Sequence, residues 1–224
     1  MTRALKLGLI AFASVAAVAL PAAVTMRDVA EGGARVPPPA LVEPARGQRE
    51  VAVLAGGCFW GVEAVYEHVK GVIDVRSGYA GGDPKSANYS SVSSGATGNA
   101  EAVRIVFDPR QVSYGDLLRI YFAVAHDPTE VNRQGPDVGP QYRSAIFPQS
   151  PAQARVARAY ITQLGKAHVF AKPVATKLEQ GRFVEAEAYH QDFMARNPRH
   201  PYILIHDRPK LAALKRQFPV SWKG

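Results

Sequence analysis

Cysteine is nearly absent from this sequence: Cys58 stands alone among 224 residues. No disulfide can close within the chain. A lone cysteine is most often a small buried hydrophobe, so its neighbours must decide whether it is more than that. No segment repeats itself, which excludes a solenoid or propeller. No run of lysine or arginine tracks a phosphate backbone, although the formal charge is +8. Scattered positive charge without a stripe argues against nucleic acid as a partner. Metal ligands are scarce as well. Glu187 and His190 stand three apart and could face together, and His126 is a further candidate. No third or fourth ligand follows at plausible spacing. His126-Asp127-Pro128 reads better as turn architecture, and neither a metal nor another cofactor is expected.

What is present is enough for one core: 47% hydrophobic and 21% charged residues, too little for two comfortable domains. At the N-terminus, Arg3 and Lys6 precede an apolar run from Leu7 to Val24. Positive then apolar is the order of a secretory signal, and Ala17-Val18-Ala19 offers a small-x-small cleavage site. Gly8, Ser14 and Pro21 weaken the run as a permanent span. For residues 1–24 a cleaved signal and a retained anchor both stand. Both predict export, to the periplasm. No cysteine follows the run, so lipoprotein processing is excluded. Residues 25–49 read as a flexible linker, because Gly32-Gly33 and Pro37-Pro38-Pro39 prevent regular structure. The folded domain is expected over residues 50–224, as a monomer.

Within it, Glu50 to Ala55 is a β-branched apolar run that reads as a buried strand. Gly56-Gly57 breaks it, and a helix follows with Val62, Val65, Tyr66 and Val69 on one face, ended by Gly71. Val72 to Tyr79 reads as a second strand and residues 80–98 as loop. Val103, Ile105 and Phe107 alternate as a third strand. Ser113 with Asp116 resembles a capping box opening the next helix. His126 to Gln141 is a long loop, a length that is often functional. Arg143 to Phe147 reads as a strand, Ser150-Pro151 caps a helix ending near Gly165, and Val174 to Leu178 reads as a further strand. Helices are expected over Glu185 to Arg196 and Pro209 to Phe218. Strands interleaved with helices and long loops indicate an α+β protein: a two-layer sandwich with a mixed or antiparallel sheet.

Cys58 falls between the first strand and its helix. A thiol works as a nucleophile only as thiolate, and unpaired N–H groups with the helix dipole favour the anion there. Gly57 and Gly61 let backbone approach a substrate closely. Phe59 and Trp60 point in different directions from one helical turn, so one of them is expected to line a pocket.

Gly57-Cys58-Phe59-Trp60-Gly61 resembles the active-site motif of peptide methionine sulfoxide reductases of the A type. Gly78-Tyr79-Ala80-Gly81-Gly82, Tyr89 and Ala100-Glu101-Ala102-Val103 follow in the family's order. So do His126-Asp127-Pro128-Thr129, Asn132-Arg133-Gln134-Gly135, Asp137 and Gln141-Tyr142-Arg143-Ser144. Ala186-Glu187 with Tyr189-His190-Gln191 completes a resemblance spanning Val51 to Pro201. It implies a ferredoxin-like plait. It also implies reduction of methionine sulfoxide, with preference for the S epimer, as protein repair under oxidative stress.

The resemblance assigns the nucleophile to Cys58 and the acid to Glu101. A sulfoxide oxygen must be protonated or strongly hydrogen-bonded before a thiolate can attack the sulfur. A carboxyl in an apolar pocket holds its proton near neutral pH. Tyr89 and Tyr142 are implied as phenol donors to that oxygen. Phe59 and Trp60 would cage the substrate methyl group, and Asp137 would orient the substrate. Three departures stand out. Asn99 replaces the usual His, and Tyr121-Phe122 replaces a common Phe-Trp. Ser93 takes the place of a second cysteine found in some members, and C-terminal resolving cysteines are missing. Cys58 would therefore pass through a sulfenic acid that an external thiol must resolve. A thioredoxin- or glutaredoxin-like partner, or a small thiol, would serve. The alternatives are a thiol peroxidase, another single-cysteine enzyme such as an amidohydrolase, or a non-catalytic binder of oxidised methionine.

Overall fold

The computed structural model describes residues 35–45 and 47–224. The apolar segment of residues 1–24 and the first part of the expected linker lie outside the described residues. Strand β1 (Glu50–Gly56) leads into helix α1 (Phe59–Glu67) and strand β2 (Val72–Ala80). A one-turn helix α2 (Tyr89–Val92) precedes β3 (Ala100–Phe107). Both β1 and β2 pair antiparallel with β3. They therefore run parallel to each other, with α1 as their crossover and β3 inserted between them. This is the split β-α-β unit of a ferredoxin-like plait.

Helix α3 (Tyr114–Ile120) continues as a π turn, Tyr121–Ala125. The long loop beyond it holds a small hairpin, β4 (Arg133–Gln134) with β5 (Asp137–Val138). Then come β6 (Ser144–Ile146), α4 (Pro151–Lys166), β7 (Lys177–Leu178) and β8 (Val184–Glu185). The chain closes with α5 (Phe193–Arg196) and α6 (Arg208–Gln217). The main sheet has the order β7-β6-β1-β3-β2-β8, and its β6–β7 pair is parallel. The expected α+β sandwich with a mixed sheet is what forms.

Alternation decides the two faces. Val103, Ile105 and Phe107 of β3 point into a large core with Leu54 and with residues of α1, α3, α4 and α6. Ala100 and Ala102 point the other way, into a small-residue layer that Phe147 and Phe183 help to fill. The capping box at α3 is present. Ser113 Oγ accepts from the Asp116 N–H at 3.0 Å, and Asp116 Oδ2 accepts from the Ser113 N–H at 3.2 Å. Such a cap contributes about 1 kcal/mol.

Besides the one-turn helix α2 within residues 80–98, expected as loop, three stretches differ from the sequence reading. Part of the expected linker, residues 35–45, has no regular structure but lies docked as a strap. The Val36 carbonyl accepts from Arg119 Nε at 2.8 Å, and the Tyr160 hydroxyl donates to the Pro37 carbonyl at 2.6 Å. Prolines preclude a helix or strand there but leave carbonyls free to accept. The helix expected over residues 185–196 shrinks to α5. Its first half instead continues the sheet, with the Ala186 N–H donating to the Ser77 carbonyl at 2.9 Å. Gln191 then donates through Nε2 to the same carbonyl at 3.0 Å, and Asp192 adopts a left-handed φ of 51°. Tertiary partners outweigh helix propensity here. The final helix starts earlier than expected. Residues 201–217 are helical throughout, with a π turn at Ile203–Asp207.

Candidate active site

The site is built where β1 runs into α1. Gly57 has a φ of +87°, and a Cβ there would stand 2.5 Å from the Gln134 side chain. Only glycine meets both demands. Gln134 is itself clamped: its Oε1 accepts from the Asp127 N–H at 2.9 Å, and its Nε2 donates to the Asp127 carbonyl at 3.0 Å. The long loop is thus tied against the turn that presents Cys58. His126 braces it from below, with Nε2 2.7 Å from Ser144 Oγ and Nδ1 3.0 Å from the Tyr121 carbonyl oxygen. Burial holds the His126 imidazole down at about 4, so it is a neutral structural bridge at neutral pH.

Cys58 is the N-cap of α1 and is a buried free thiol. The Trp60 N–H favours its anion, as the helix start leads one to expect. A stronger effect opposes it. Burial first, then the charge of Glu101 once it ionises and that of Asp207, push the thiol well above its ordinary value. The helix start favours the anion, but desolvation outweighs it, and the resting group is a thiol.

Glu101 sits on β3 opposite Tyr79 and is 3% exposed. Its Oε2 accepts from the Phe59 N–H at 3.0 Å, which fixes the carboxyl one residue from the thiol. Burial raises it to about 8, against the lowering effect of that hydrogen bond. Glu101 is thus an acid that still carries its proton at neutral pH. Tyr89 and Tyr142 are both pushed up, first by burial, then by the charges of Glu101 and Cys58 among others. Those shared influences place both phenols around the same centre. Asp137, on β5, accepts from the Tyr202 hydroxyl.

The two aromatic neighbours separate as their directions demand. Phe59 is 1% exposed and packs between Tyr79 and His190, at ring distances of 5.8 and 5.0 Å. Trp60 is half-buried, stacked on Phe193 at 3.7 Å and edge-on to Tyr202 at 5.9 Å. Its Nε1 donates to His190 Nδ1 at 3.1 Å. All seven residues singled out in the sequence thus converge on the end of α1 and its facing loops.

Sequence reasoning missed the supporting layer. Glu187 and His190 have the spacing of a metal-ligand pair. Glu187 instead spends Oε1 on the Tyr89 N–H and Oε2 on the Tyr79 hydroxyl, both at 2.9 Å. It anchors the helix that carries Tyr89. Tyr202 and Asp207 had no signal beyond their types, because only the early start of the last helical run brings them here. Asn99, at the usual histidine position, ties down the loop before β3. Its Oδ1 accepts from the Gly82 N–H at 3.1 Å, and its Nδ2 donates to the Asp83 carbonyl at 3.1 Å. Ser93 ends α2 with its hydroxyl on the Ser90 carbonyl at 3.2 Å.

Comparison with known proteins gives a consistent answer. Residues 50–221 match the family model described as peptide methionine sulfoxide reductase. Peptide methionine sulfoxide reductase MsrA 2 of Synechocystis is 57% identical over 176 residues, covering 78% of this chain and 82% of that protein. The Deinococcus radiodurans MsrA is 49% identical over 171 residues, covering 76% and 82%. Among solved structures, methionine sulfoxide reductase A of Corynebacterium diphtheriae is 32% identical with a TM-score of 0.57, covering 80% of this chain and 92% of that one. Reduced Mxr1 of Saccharomyces cerevisiae is 30% identical with a TM-score of 0.61, covering 72% and 92%.

Proposed function

This chain belongs to the peptide methionine sulfoxide reductase family, and on that premise we propose how its residues divide the reaction. The activity is that of a peptide-methionine (S)-S-oxide reductase of the A type, which reduces methionine sulfoxide to methionine and is restored by thiol. Cys58 is the nucleophile. Glu101 is the acid, and Tyr89 and Tyr142 donate to the sulfoxide oxygen beside it. Trp60 and Phe59 form the apolar wall against the substrate methyl group. Asp137, braced by Tyr202, orients the substrate main chain. One observation carries this reading: a carboxyl held protonated up to about pH 8 is fixed one residue from a buried thiol.

The steps balance as follows. Glu101 delivers its proton to the sulfoxide oxygen as the Cys58 sulfur attacks the sulfoxide sulfur, and the thiol proton passes to the Glu101 carboxylate, restoring the acid. The oxygen passes to Cys58, which becomes a sulfenic acid and is oxidised by two electrons. The substrate sulfur gains those electrons and leaves as methionine. An external thiol then attacks the sulfenic sulfur, releasing water and forming a mixed disulfide, and a second thiol frees Cys58. No second cysteine exists to take the first of these roles. The reductant is therefore a thioredoxin- or glutaredoxin-like protein or a small thiol. The charged-then-apolar start of the sequence supports action outside the cytoplasm, where such a thiol must be supplied against an oxidising poise. The enzyme acts as a monomer.

The test is turnover of a methyl sulfoxide peptide with dithiothreitol, followed by intact mass after substrate without reductant. A gain of one oxygen on Cys58 is expected. Peroxide turnover with no sulfoxide turnover would instead establish a thiol peroxidase. Binding without turnover would establish a recognition module.

A further inference from the structure

Behind Cys58 lies a buried ion pair that the reaction as described leaves unused. Asp207 is 0% exposed. Its Oδ1 accepts from Lys210 Nζ at 3.1 Å. Its Oδ2 has no hydrogen-bond partner among the described residues. A buried ion pair is weak as a source of stability, because desolvating two charges offsets their attraction. An unpartnered carboxylate oxygen makes this one more costly still. Its placement suggests what it is for.

Gly61 is the third residue of α1, three after Cys58, so the two stand on one face of the helix, one turn apart. A Cβ on Gly61 would lie 2.0 Å from Asp207 Oδ1 and 2.8 Å from Lys210 Nζ. The pair therefore occupies the space where a side chain of α1 would be, directly behind the thiol. The chain delivers Asp207 there through the π turn Ile203–Asp207. Its extra residue lets Tyr202 and Asp207 both face the site, and π turns recur at functional positions. We infer that the Asp207–Lys210 pair controls the ionisation of Cys58 through two opposed charges: Lys210 supplies a cation that favours the thiolate, and Asp207 pins that cation against α1 while its own carboxylate opposes the anion.

The charges around the thiol oppose one another. Glu101 from β3 and Asp207 from the π turn disfavour the anion, whereas Lys210 from α6 and the Trp60 N–H favour it. Asp207 is in turn faced by Lys210, Asp137 and His206. Lys210 also acts on the buried imidazole of His126, which places its charge within the same polar centre. Tyr89, Tyr142 and Tyr202 also feel the charge of Cys58. Lys210 is the cation among the leading influences on the sulfur.

This inference rests on Cys58 as nucleophile, and its test is chosen to stand apart from that reading. Cys58 is the sole cysteine, so iodoacetamide alkylation followed by intact mass reports its ionisation without any turnover. The rate is measured against pH on the full chain. Lys210→Met should move the thiol's titration upward by about one pH unit or more, and slow alkylation at neutral pH about tenfold. Asp207→Asn should move it downward, because the cation is then unopposed. Lys210→Arg should stay near wild type. Loss of packing cannot produce shifts of opposite sign. Shifts in the same direction, or a Lys210→Met profile that coincides with wild type, would overturn the inference. Should Asp207→Asn not accumulate as folded protein, Lys210→Met against Lys210→Arg decides alone, and equal shifts in those two would overturn it. Failure of Cys58→Ser to abolish sulfoxide reduction would refute the nucleophile assignment and leave this titration result standing.

Discussion

Glu63 and Glu101 are buried carboxyls in nearly the same electrostatic condition, yet they sit in regions with different work. Burial holds each near 8. Each accepts a backbone N–H, from Ser77 at 3.2 Å for Glu63 and from Phe59 at 3.0 Å for Glu101. Glu63 lies along α1, facing β2. Its charged neighbours are the carboxyls of Glu67 and Asp192, and the Ser77 N–H that it accepts is shared with Gln191. Glu101 faces Cys58, two phenols and Asp137. An acid that keeps its proton at neutral pH is a product of burial where no cation or donor set offsets it; Asp108, also buried, is instead lowered by Arg110 and Gln111. A raised acid becomes a chemical site only where a nucleophile and donors share the enclosure. The elevated acid at Glu63 braces α1 against β2; the one at Glu101 has a thiol to work with.

Cys58→Ser should abolish sulfoxide reduction while leaving far-UV circular dichroism unchanged; measurable turnover would remove the thiol from the chemistry. Next, Glu101→Gln should lower kcat by about 10²- to 10³-fold with little change in KM, because an amide fills the space but delivers no proton. A variant with equal effects on both constants would make Glu101 a binding group. A third measurement uses the pH axis. The rate of sulfoxide reduction with saturating reductant should fall above about pH 8 as Glu101 ionises, and Glu101→Gln should lose that limb while retaining its low residual rate.

The smallest effect is expected at the other carboxyl. Glu63→Gln keeps an acceptor for Ser77 and should leave kcat within about twofold. Its signature is in stability. A carboxyl raised from 4.5 to about 8 in the folded state contributes stability that is fully present below 4.5 and lost as pH rises through about 8. The Gln variant should therefore resist urea better than wild type at pH 9 and match it near pH 5. A rate loss as large as that of Glu101→Gln would erase the distinction between the two regions.

Local residues carried much of this. The strand, the glycine turn and the helix from Glu50 to Glu67 follow from an apolar run, Gly56-Gly57 and spaced valines. The capping box at Ser113 is legible because its partners stand three residues apart in one chain segment. The site residues were legible through their motifs, each a short string whose order survives in sequence. The stretch 185–196 was not. Glu187, His190 and Gln191 have helical spacing, but each spends its polar atoms on a distant partner: Tyr89, Trp60 and Ser77. Spacing reports a helix only when the segment has nothing better to bind. The resting state of Cys58 was not legible for a related reason: a helix start is visible in the sequence, whereas the burial that outweighs it is made by residues far along the chain.

By itself the sequence determined that one thiol must do all the sulfur chemistry, that it stands at a strand-to-helix junction, and that no internal cysteine can resolve its oxidised form. These are matters of count and of local order. Tertiary structure decided the protonation of the groups around it. Glu101 reaches the Phe59 N–H across 42 positions, and the Asp207–Lys210 pair reaches Gly61 from the last helical run. Proton affinity depends on which charges and how much solvent lie within a few ångströms, and only the folded chain fixes those distances.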